Sequence, residues 1–158
     1  MGAGSWGTAL AVQFARVGCD VRLGGVVELD LLESMVDDRE NKRYLPGVEF
    51  PPGLKACPDL AECLDGARDV LVVVPSHGLR DTLAQIKPLL GSDSRVCWAT
   101  KGFELSTGKL PHQVAAEVLG PDIPVAVLSG PTFAMEVGEG LPTAMTIASS
   151  DHDFARDL

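Results

Sequence analysis

The stretch GAGSWGTALA, residues 2–11, decides the fold class of this chain. It places Gly2, Gly4 and Gly7 in GxGxxG spacing and runs directly into a helical pattern over Thr8–Arg16. In this motif the first glycine permits a tight turn, the second lets a pyrophosphate approach the backbone, and the third allows close helix–sheet packing. The helix N-terminus offers free N–H groups and a partial positive charge to the phosphates. We interpret the stretch as a dinucleotide-binding loop; the alternative is a glycine-rich turn without a ligand.

The composition is that of a folded protein and argues against several classes of partner. Apolar residues make up 46% of the 158 positions and charged residues 22%, which is ordinary for a globular domain. The 13 Lys and Arg against 22 Asp and Glu leave a net charge of −9. A nucleic-acid-binding face or a basic membrane anchor needs clustered basic side chains, which this sequence lacks. The longest apolar run, Val70–Val74, is too short to span a bilayer.

Short β-rich runs alternate with helical patterns along the chain. The run Val70–Val74 is apolar on both faces, which is typical of a covered strand in a parallel sheet. The alternation predicts an α/β fold with a Rossmann-like, doubly wound, mostly parallel sheet. The predicted strands are Cys19–Leu23, Val70–Val74, Val96–Thr100, Val125–Leu128 and Ala144–Ala148, and the predicted helices are Thr8–Arg16, Leu29–Arg39, Leu79–Leu90, Lys109–Val118 and a short one near Phe133–Val137.

The two ends of the chain bear on its domain organisation. A dinucleotide-binding loop follows the first, central strand of its sheet, and the sequence before Gly2 contains no such strand. At the other end, residues 149–151 are suited to cap a helix that has only just begun at Phe154. We therefore expect residues 1–158 to be a dinucleotide-binding domain truncated at both ends, with a C-terminal substrate domain absent.

The segment Tyr44–Pro58 is the richest loop signal in the chain. Its four prolines and two glycines resist both a helix and a central strand. We expect it to be an ordered excursion over the surface, within one domain.

The four cysteines and three histidines are scattered without metal-ligand spacing, so no metal site is predicted. Cys19 and Cys97 lie beside predicted strands and are expected to be small buried hydrophobic residues. Unpatterned cysteines in an acidic chain are typical of a reducing cytosol, which predicts a cytoplasmic protein.

Polar and flexible residues follow several predicted strands, where open α/β sheets bind their ligands. Pro75 ends one strand, and His77 beyond it is either a structural residue or a general base. Lys101 follows the next strand and is either a solvated lysine or a cation facing the ligand crevice. Gly130 and Thr132 follow a third strand. Gly130 would permit a ligand to approach the backbone closely and Thr132 would supply a hydroxyl; the alternative is a plain loop-to-helix cap without a ligand.

The acidic residue expected about 20 positions after the glycine motif is represented by Glu28. It is suited to hold a ribose 2′-hydroxyl, which would favour NAD. The alternative is a solvated residue in the first turn of the next helix.

Several motifs together resemble one family, the bacterial NAD(P)-dependent glycerol-3-phosphate dehydrogenases. The matching strings, in order, are GAGSWGTALA, RYLPG, VVVPSH, ATKGFE with a following TG, SGPTFAMEV and GLPTA. The resemblance covers the N-terminal half of that family. It implies an oxidoreductase that uses NAD or NADP to interconvert dihydroxyacetone phosphate and sn-glycerol 3-phosphate, feeding glycerophospholipid synthesis.

The resemblance also implies a role for each matching residue. Cofactor-binding residues would be Gly2, Gly4, Ser5, Trp6, Gly7, Lys101 and Ala134, and substrate-binding residues would be Lys101, Gly130 and Thr132. Trp6 would alternatively pack as a core aromatic. Lys101 would support catalysis, while the family's acid/base lysine lies in the C-terminal domain and has no counterpart here.

One segment departs from the family pattern. The family carries a tryptophan and a basic residue after the second strand, where this chain has Gly24 and Val26. A 2′-phosphate of NADP would lose a charge-assisted partner worth about 1.5–3 kcal/mol, so the coenzyme preference stays open. The resemblance implies a homodimer when the protein is full length, and the isolated chain is expected to be inactive and poorly stable.

Two other functions fit parts of the sequence. The departure at Gly24–Val26 fits a non-enzymatic nucleotide-binding module or redox sensor, although such a module has no need for both substrate loops. A dehydrogenase of hydroxy acids or sugar acids would use the same cofactor domain, but the loops at Lys101 and Gly130–Ala134 do not favour it.

Overall fold

The computed structural model describes all residues from Met1 to Leu158, which form two compact units. Unit 1 is built from Met1–Cys63 and Pro131–Ala144, and unit 2 from Leu64–Gly130 and Met145–Leu158. The strands form a two-stranded and a four-stranded sheet in which only one pairing is antiparallel. The predicted α/β class with mostly parallel strands is therefore confirmed.

Unit 1 is centred on its first helix. Its elements are α1 (Ser5–Arg16), β1 (Val21–Leu23), α2 (Leu29–Asp38), β2 (Leu54–Ala56) and α6 (Ala134–Glu139), and α3 (Leu60–Leu64) spans the sequence boundary to unit 2. Helix α1 packs against α6 and β1 and buries the side that carries Ala9 and Val12. Strands β1 and β2 pair in parallel, with Val21 opposite Leu54.

The proline-rich segment Tyr44–Pro58 is not a surface excursion, and that prediction was wrong. Strand β2 lies inside it, and Leu45, Phe50 and Leu54 are buried in the core of unit 1. The four prolines flank the strand, so they remove no hydrogen-bond donor from it. The buried side chains of this segment belong to apolar residues that lie between its prolines and glycines. The number of prolines and glycines gives no information about whether these apolar residues are buried.

Unit 2 contains a sheet of order β3-β4-β5-β6. Its elements are β3 (Asp69–Val72), α4 (Ser76–Ile86), a 3₁₀ helix (Lys87–Leu89), β4 (Arg95–Trp98), α5 (Pro111–Leu119), β5 (Val125–Ser129), β6 (Thr146–Ser149) and α7 (His152–Asp157). The first three strands are parallel, with Val70 opposite Val96 and Val96 opposite Val125. Every residue of β4 is buried, and β4 is paired with a strand on each side.

The helix predicted over Leu79–Leu90 begins one turn earlier and ends sooner. Helix α4 starts at Ser76 and gives way to a 3₁₀ turn that contains Pro88. Proline lacks the N–H that would continue the α-helical hydrogen-bond series. Strand β3 ends at Val72, so Pro75 caps the helix rather than ending the strand.

The last helix is held by an ion cluster around Arg95. The guanidinium of Arg95 is buried, with Nε 2.7 Å from Asp69 Oδ1 and Nη1 2.7 Å from Asp157 Oδ2. It also stacks over the ring of Phe154, 4.4 Å from the centroid. The Asp151 side chain accepts the Phe154 N–H at 2.9 Å. The predicted cap in residues 149–151 is thus Asp151.

The cysteines divide by burial, and all four are free thiols. Cys97 is buried as predicted, but Cys19 is exposed, because it precedes β1 instead of lying in it.

No helix is both long enough and apolar enough to cross a membrane.

Candidate functional site

The glycine loop, Gly2–Gly7, turns directly into α1. Gly2 has a φ of 108°, in the left-handed region that glycine adopts without strain. Its N–H donates to the Gly24 carbonyl at 2.8 Å, which ties the loop to the residue following β1. Helix α1 begins at Ser5, three residues before the predicted start at Thr8, so the second half of the motif forms the first helical turn.

The N-terminus of α1 is open to an anion. Its N-cap is Gly4, which provides no side-chain cap, and the first turn contains no acidic residue. A Cβ atom built on Gly4 would meet no other atom within 4 Å. A helix N-terminus leaves its first N–H groups without intrahelical partners and carries a partial positive charge, so this end of α1 fits the pyrophosphate of a dinucleotide.

Two further predicted cofactor residues lie in the same turn. Ser5 is exposed, whereas Trp6 is half-buried and packs against the core of unit 1. The packing alternative for Trp6 is therefore observed, while its contact with a cofactor stays a prediction.

Glu28 sits at the N-cap of α2 with a φ of 55°. Its carboxylate accepts the Tyr44 hydroxyl at 2.8 Å and lies 3.0 Å from Arg43 Nη1. The hydrogen bond to Glu28 raises the pKa of the Tyr44 hydroxyl. Glu28 is thus exposed, but its carboxylate is held by Tyr44 and Arg43. A purely solvated first-turn residue would have no such partners.

The departure at Gly24 has a steric reason. A Cβ on Gly24 would lie 2.6 Å from the Cys63 sulfur and 3.3 Å from the Cys57 carbonyl oxygen. Both distances are shorter than ordinary van der Waals contacts. A larger side chain therefore has no room at this position.

Unit 2 brings two predicted substrate residues together. Lys101 follows β4, Gly130 follows β5, and Lys101 Nζ lies 3.4 Å from the Gly130 carbonyl oxygen. A cavity of about 380 Å³ lies at these strand ends, and its lining includes Lys101, His112 and Ser129. His77 is exposed in the first turn of α4 and does not line this cavity, so the geometry does not support it as a general base there.

Thr132 is the one residue with a buried side-chain oxygen that lacks a partner. Its Oγ1 has no hydrogen bond, although the atom is inaccessible to solvent. An unsatisfied buried hydroxyl costs about 1–3 kcal/mol, which favours a position that a ligand completes. The predicted cofactor residue Ala134 begins α6 two residues later.

Two side chains that contact the loops of the candidate site were not predicted from the sequence. Arg80 in α4 is paired with Glu104, which lies in the loop that carries Lys101. Asn41 contacts the glycine loop from 38 residues away in sequence. Neither residue belongs to a spacing motif, because these contacts join segments that are distant in the chain.

Comparisons with known proteins point to one enzyme family. The sequence profile of the NAD-dependent glycerol-3-phosphate dehydrogenase N-terminus matches residues 1–155. Glycerol-3-phosphate dehydrogenase (NAD(P)+) of Aliivibrio fischeri is 50% identical over all 158 residues, and that of Serratia proteamaculans is 53% identical. In both cases the chain covers 46% of the relative.

A crystal structure agrees with these sequence matches. Glycerol-3-phosphate dehydrogenase from Coxiella burnetii superposes with a TM-score of 0.92 at 45% identity. The match covers 99% of this chain and 47% of that one. The chain thus spans about half the length of the relatives it matches.

Proposed function

Because the chain belongs to the NAD-dependent glycerol-3-phosphate dehydrogenase family through its N-terminal part, we propose that it is the cofactor-binding half of such an enzyme. The reaction would interconvert dihydroxyacetone phosphate and sn-glycerol 3-phosphate. The observation that carries the proposal is the open N-terminus of α1 at Gly4, together with the match over residues 1–155. We propose that residues 1–158 form the dinucleotide-binding domain and that a further domain carries the acid/base group.

The residues of unit 1 would hold the nucleotide. In the proposal the glycine loop binds the pyrophosphate through the N–H groups that α1 leaves free. When bound, a nicotinamide cofactor supplies or accepts the hydride. Glu28 is suited to accept a hydrogen bond from a ribose hydroxyl, and Val26 gives a 2′-phosphate no charged partner. Arg43, however, is a cation that lies 3.0 Å from the Glu28 carboxylate, so the proposal covers both NAD and NADP.

Lys101 would position the substrate. Its ammonium group, exposed at the end of β4 and 3.4 Å from the Gly130 carbonyl, offers a cation and three donors to a phosphate or carbonyl oxygen. Thr132 would donate its hydroxyl to the same substrate class. These two side chains would bind and orient the substrate, and neither is proposed to exchange the proton of the reaction.

A hybrid enzyme tests the proposal. Residues 1–158 replace the matching segment of the Aliivibrio fischeri enzyme, and oxidation of NADH and NADPH is followed with dihydroxyacetone phosphate. We expect turnover in the hybrid and a loss of about 10²–10³-fold in kcat/KM for Lys101→Met. Lys87→Met is the matched control, because Lys87 donates to the Val118 carbonyl and is not proposed to touch substrate. A folded hybrid that binds NADH without turnover would contradict the proposal.

The assembly and location follow the same family expectation. We propose a homodimer for the complete protein and a cytoplasmic location. Four free thiols, three of them buried, support a reducing compartment. Sedimentation of the hybrid, compared with the unmodified Aliivibrio fischeri enzyme, tests the dimer.

A further inference from the structure

The Ala3 carbonyl in the glycine loop accepts two hydrogen bonds, a short one from the buried amide of Asn41 and a longer one from the Thr8 hydroxyl at 3.4 Å. Asn41 has no exposed surface. Its Nδ2 donates to the Ala3 carbonyl at 2.8 Å and to the Thr8 hydroxyl oxygen at 2.8 Å. Its Oδ1 accepts the Tyr44 N–H at 3.0 Å. Both amide hydrogens and the amide oxygen are therefore used.

This set of partners fixes the direction of the amide. In the opposite orientation Nδ2 would face the Tyr44 N–H, donor against donor, and Oδ1 would face the Ala3 carbonyl oxygen. The backbone of Asn41 is itself held, because its carbonyl accepts the Leu45 N–H at 2.9 Å. The amide is therefore rigid.

The contact with Ala3 has a consequence for Gly4. The carbonyl of Ala3 and the N–H of Gly4 belong to one trans peptide group, so they point in opposite directions. With the carbonyl held inward by Asn41, the Gly4 N–H is turned away from Asn41. A Cβ on Gly4 would meet nothing within 4 Å, so there is room for an anion beside this residue.

We propose that Asn41 is a positioning residue that orients the Ala3–Gly4 peptide to bind the pyrophosphate of a dinucleotide. The inference rests on the proposed nucleotide binding and goes beyond it, since Asn41 itself does not touch the ligand. An aspartate at this position would be nearly identical in shape, but it would lose both donors and place a carboxylate oxygen against the Ala3 carbonyl oxygen.

The test separates the pyrophosphate from the rest of the nucleotide. Binding of ADP-ribose and of adenosine to the hybrid enzyme, in which residues 1–158 replace the matching segment of the Aliivibrio fischeri enzyme, is measured by isothermal titration calorimetry for the wild type and for Asn41→Asp. We expect the ADP-ribose Kd to rise about tenfold or more and the adenosine Kd to stay within about twofold. Gln85→Glu is the matched control: it makes the same amide-to-carboxylate change in an exposed side chain of α4 in unit 2, so both Kd values should be retained.

A purely structural role predicts a different pattern. If a folded Asn41→Asp chain keeps its ADP-ribose affinity, or loses both affinities equally, the proposal is overturned. If Asn41→Asp does not fold, Asn41→Ser, which keeps one hydroxyl donor, is measured in the same way. If both variants are unfolded, Asn41 is a folding residue and the proposal fails. A folded wild-type hybrid that binds neither compound would instead contradict the proposed function.

Discussion

Arg80 and Glu104 form a two-point ion pair, with Nε 2.7 Å from Oε1 and Nη2 2.9 Å from Oε2. The pair joins α4 to the loop after β4 that contains Lys101. Glu104 also accepts the Thr107 hydroxyl, and its backbone N–H donates to the Lys109 carbonyl at 2.9 Å. The loop that presents Lys101 is therefore fixed at its midpoint by a buried carboxylate.

This ion pair predicts a dependence of stability on pH. The hydrogen bonds from Arg80 and then from Thr107 lower the pKa of the Glu104 carboxyl from 4.5 to about 2. Because the folded pKa is the lower one, the contribution to stability is complete above about pH 4.5 and is lost as the pH falls toward 2. We expect Arg80→Met to flatten the fall of the unfolding free energy over this range, as measured by urea unfolding at several pH values.

An exposed pair provides the control for that measurement. Arg156 and Asp153 lie 2.7 Å apart, with 75% and 79% of their side chains exposed. Such pairs contribute little, so Arg156→Met should keep the wild-type pH profile. An unchanged profile in Arg80→Met would show that the Arg80–Glu104 pair does not set the acid stability.

A substitution at Gly4 should weaken nucleotide binding without changing the stability of the fold. Its φ of −71° and ψ of 179° are allowed for alanine, and its Cβ position is empty. Gly4→Ala should therefore fold with wild-type stability, while its methyl group occupies the space that a pyrophosphate needs. We expect the NADH Kd, measured by fluorescence, to rise about tenfold or more. Gly78→Ala, in α4, should leave the Kd unchanged; equal affinities in all three proteins would contradict this role for Gly4.

Leu45 tests the burial of the proline-rich segment. It is 1% exposed and packs in the core of unit 1. Leu45→Ala should lower the unfolding free energy by about 2–5 kcal/mol. Leu141, which is 50% exposed in the same unit, provides the matched control, with an expected change below about 0.5 kcal/mol. Equal effects in urea unfolding would mean that the segment is not part of the core.

Arg95 tests how the last helix is attached. Replacing it with methionine removes the hydrogen bonds to Asp69 and Asp157 and the stacking on Phe154. We expect a loss of about 1–3 kcal/mol, and faster amide exchange in α7 than in β4. Amide exchange of α7 at the wild-type rate would contradict the role of Arg95 in attaching this helix.

The thiols should react in two classes. Burial raises the pKa of Cys97 to about 12 and that of Cys57 to about 11, and it also raises the pKa of Cys63. Because only thiolates react rapidly, a disulfide reagent at pH 8 should modify one thiol per native chain. That thiol is the exposed Cys19, so Cys19→Ser should abolish the fast phase. A fast phase that survives the substitution would show that a buried cysteine is accessible.

Local sequence was sufficient to predict most of the sheet and the site loops. The apolar runs at Val70 and Val125 became strands, and the glycine spacing predicted the turn into α1. Lys101 and Gly130 were both expected at strand ends, and parallel strands bring such ends to one edge. The structure confirms that juxtaposition through the 3.4 Å distance between them.

Contacts between segments that are far apart in the chain could not be predicted from the sequence. The burial of Leu45 and the exposure of Cys19 depend on which elements pack over them, and local apolar content does not encode this. The absence of a larger side chain at Gly24 depends on Cys63, 39 positions later.

The sequence by itself determined the α/β class, the glycine turn that leads into α1 and the residues at the strand ends. These follow from periodicities and spacings of a few residues, which act through backbone geometry. Only the tertiary structure decided that Asn41 holds Ala3 and that Arg80 holds Glu104. A hydrogen bond depends on distances of about 3 Å between atoms, and only folding brings atoms 24 or 38 residues apart in the chain within that distance.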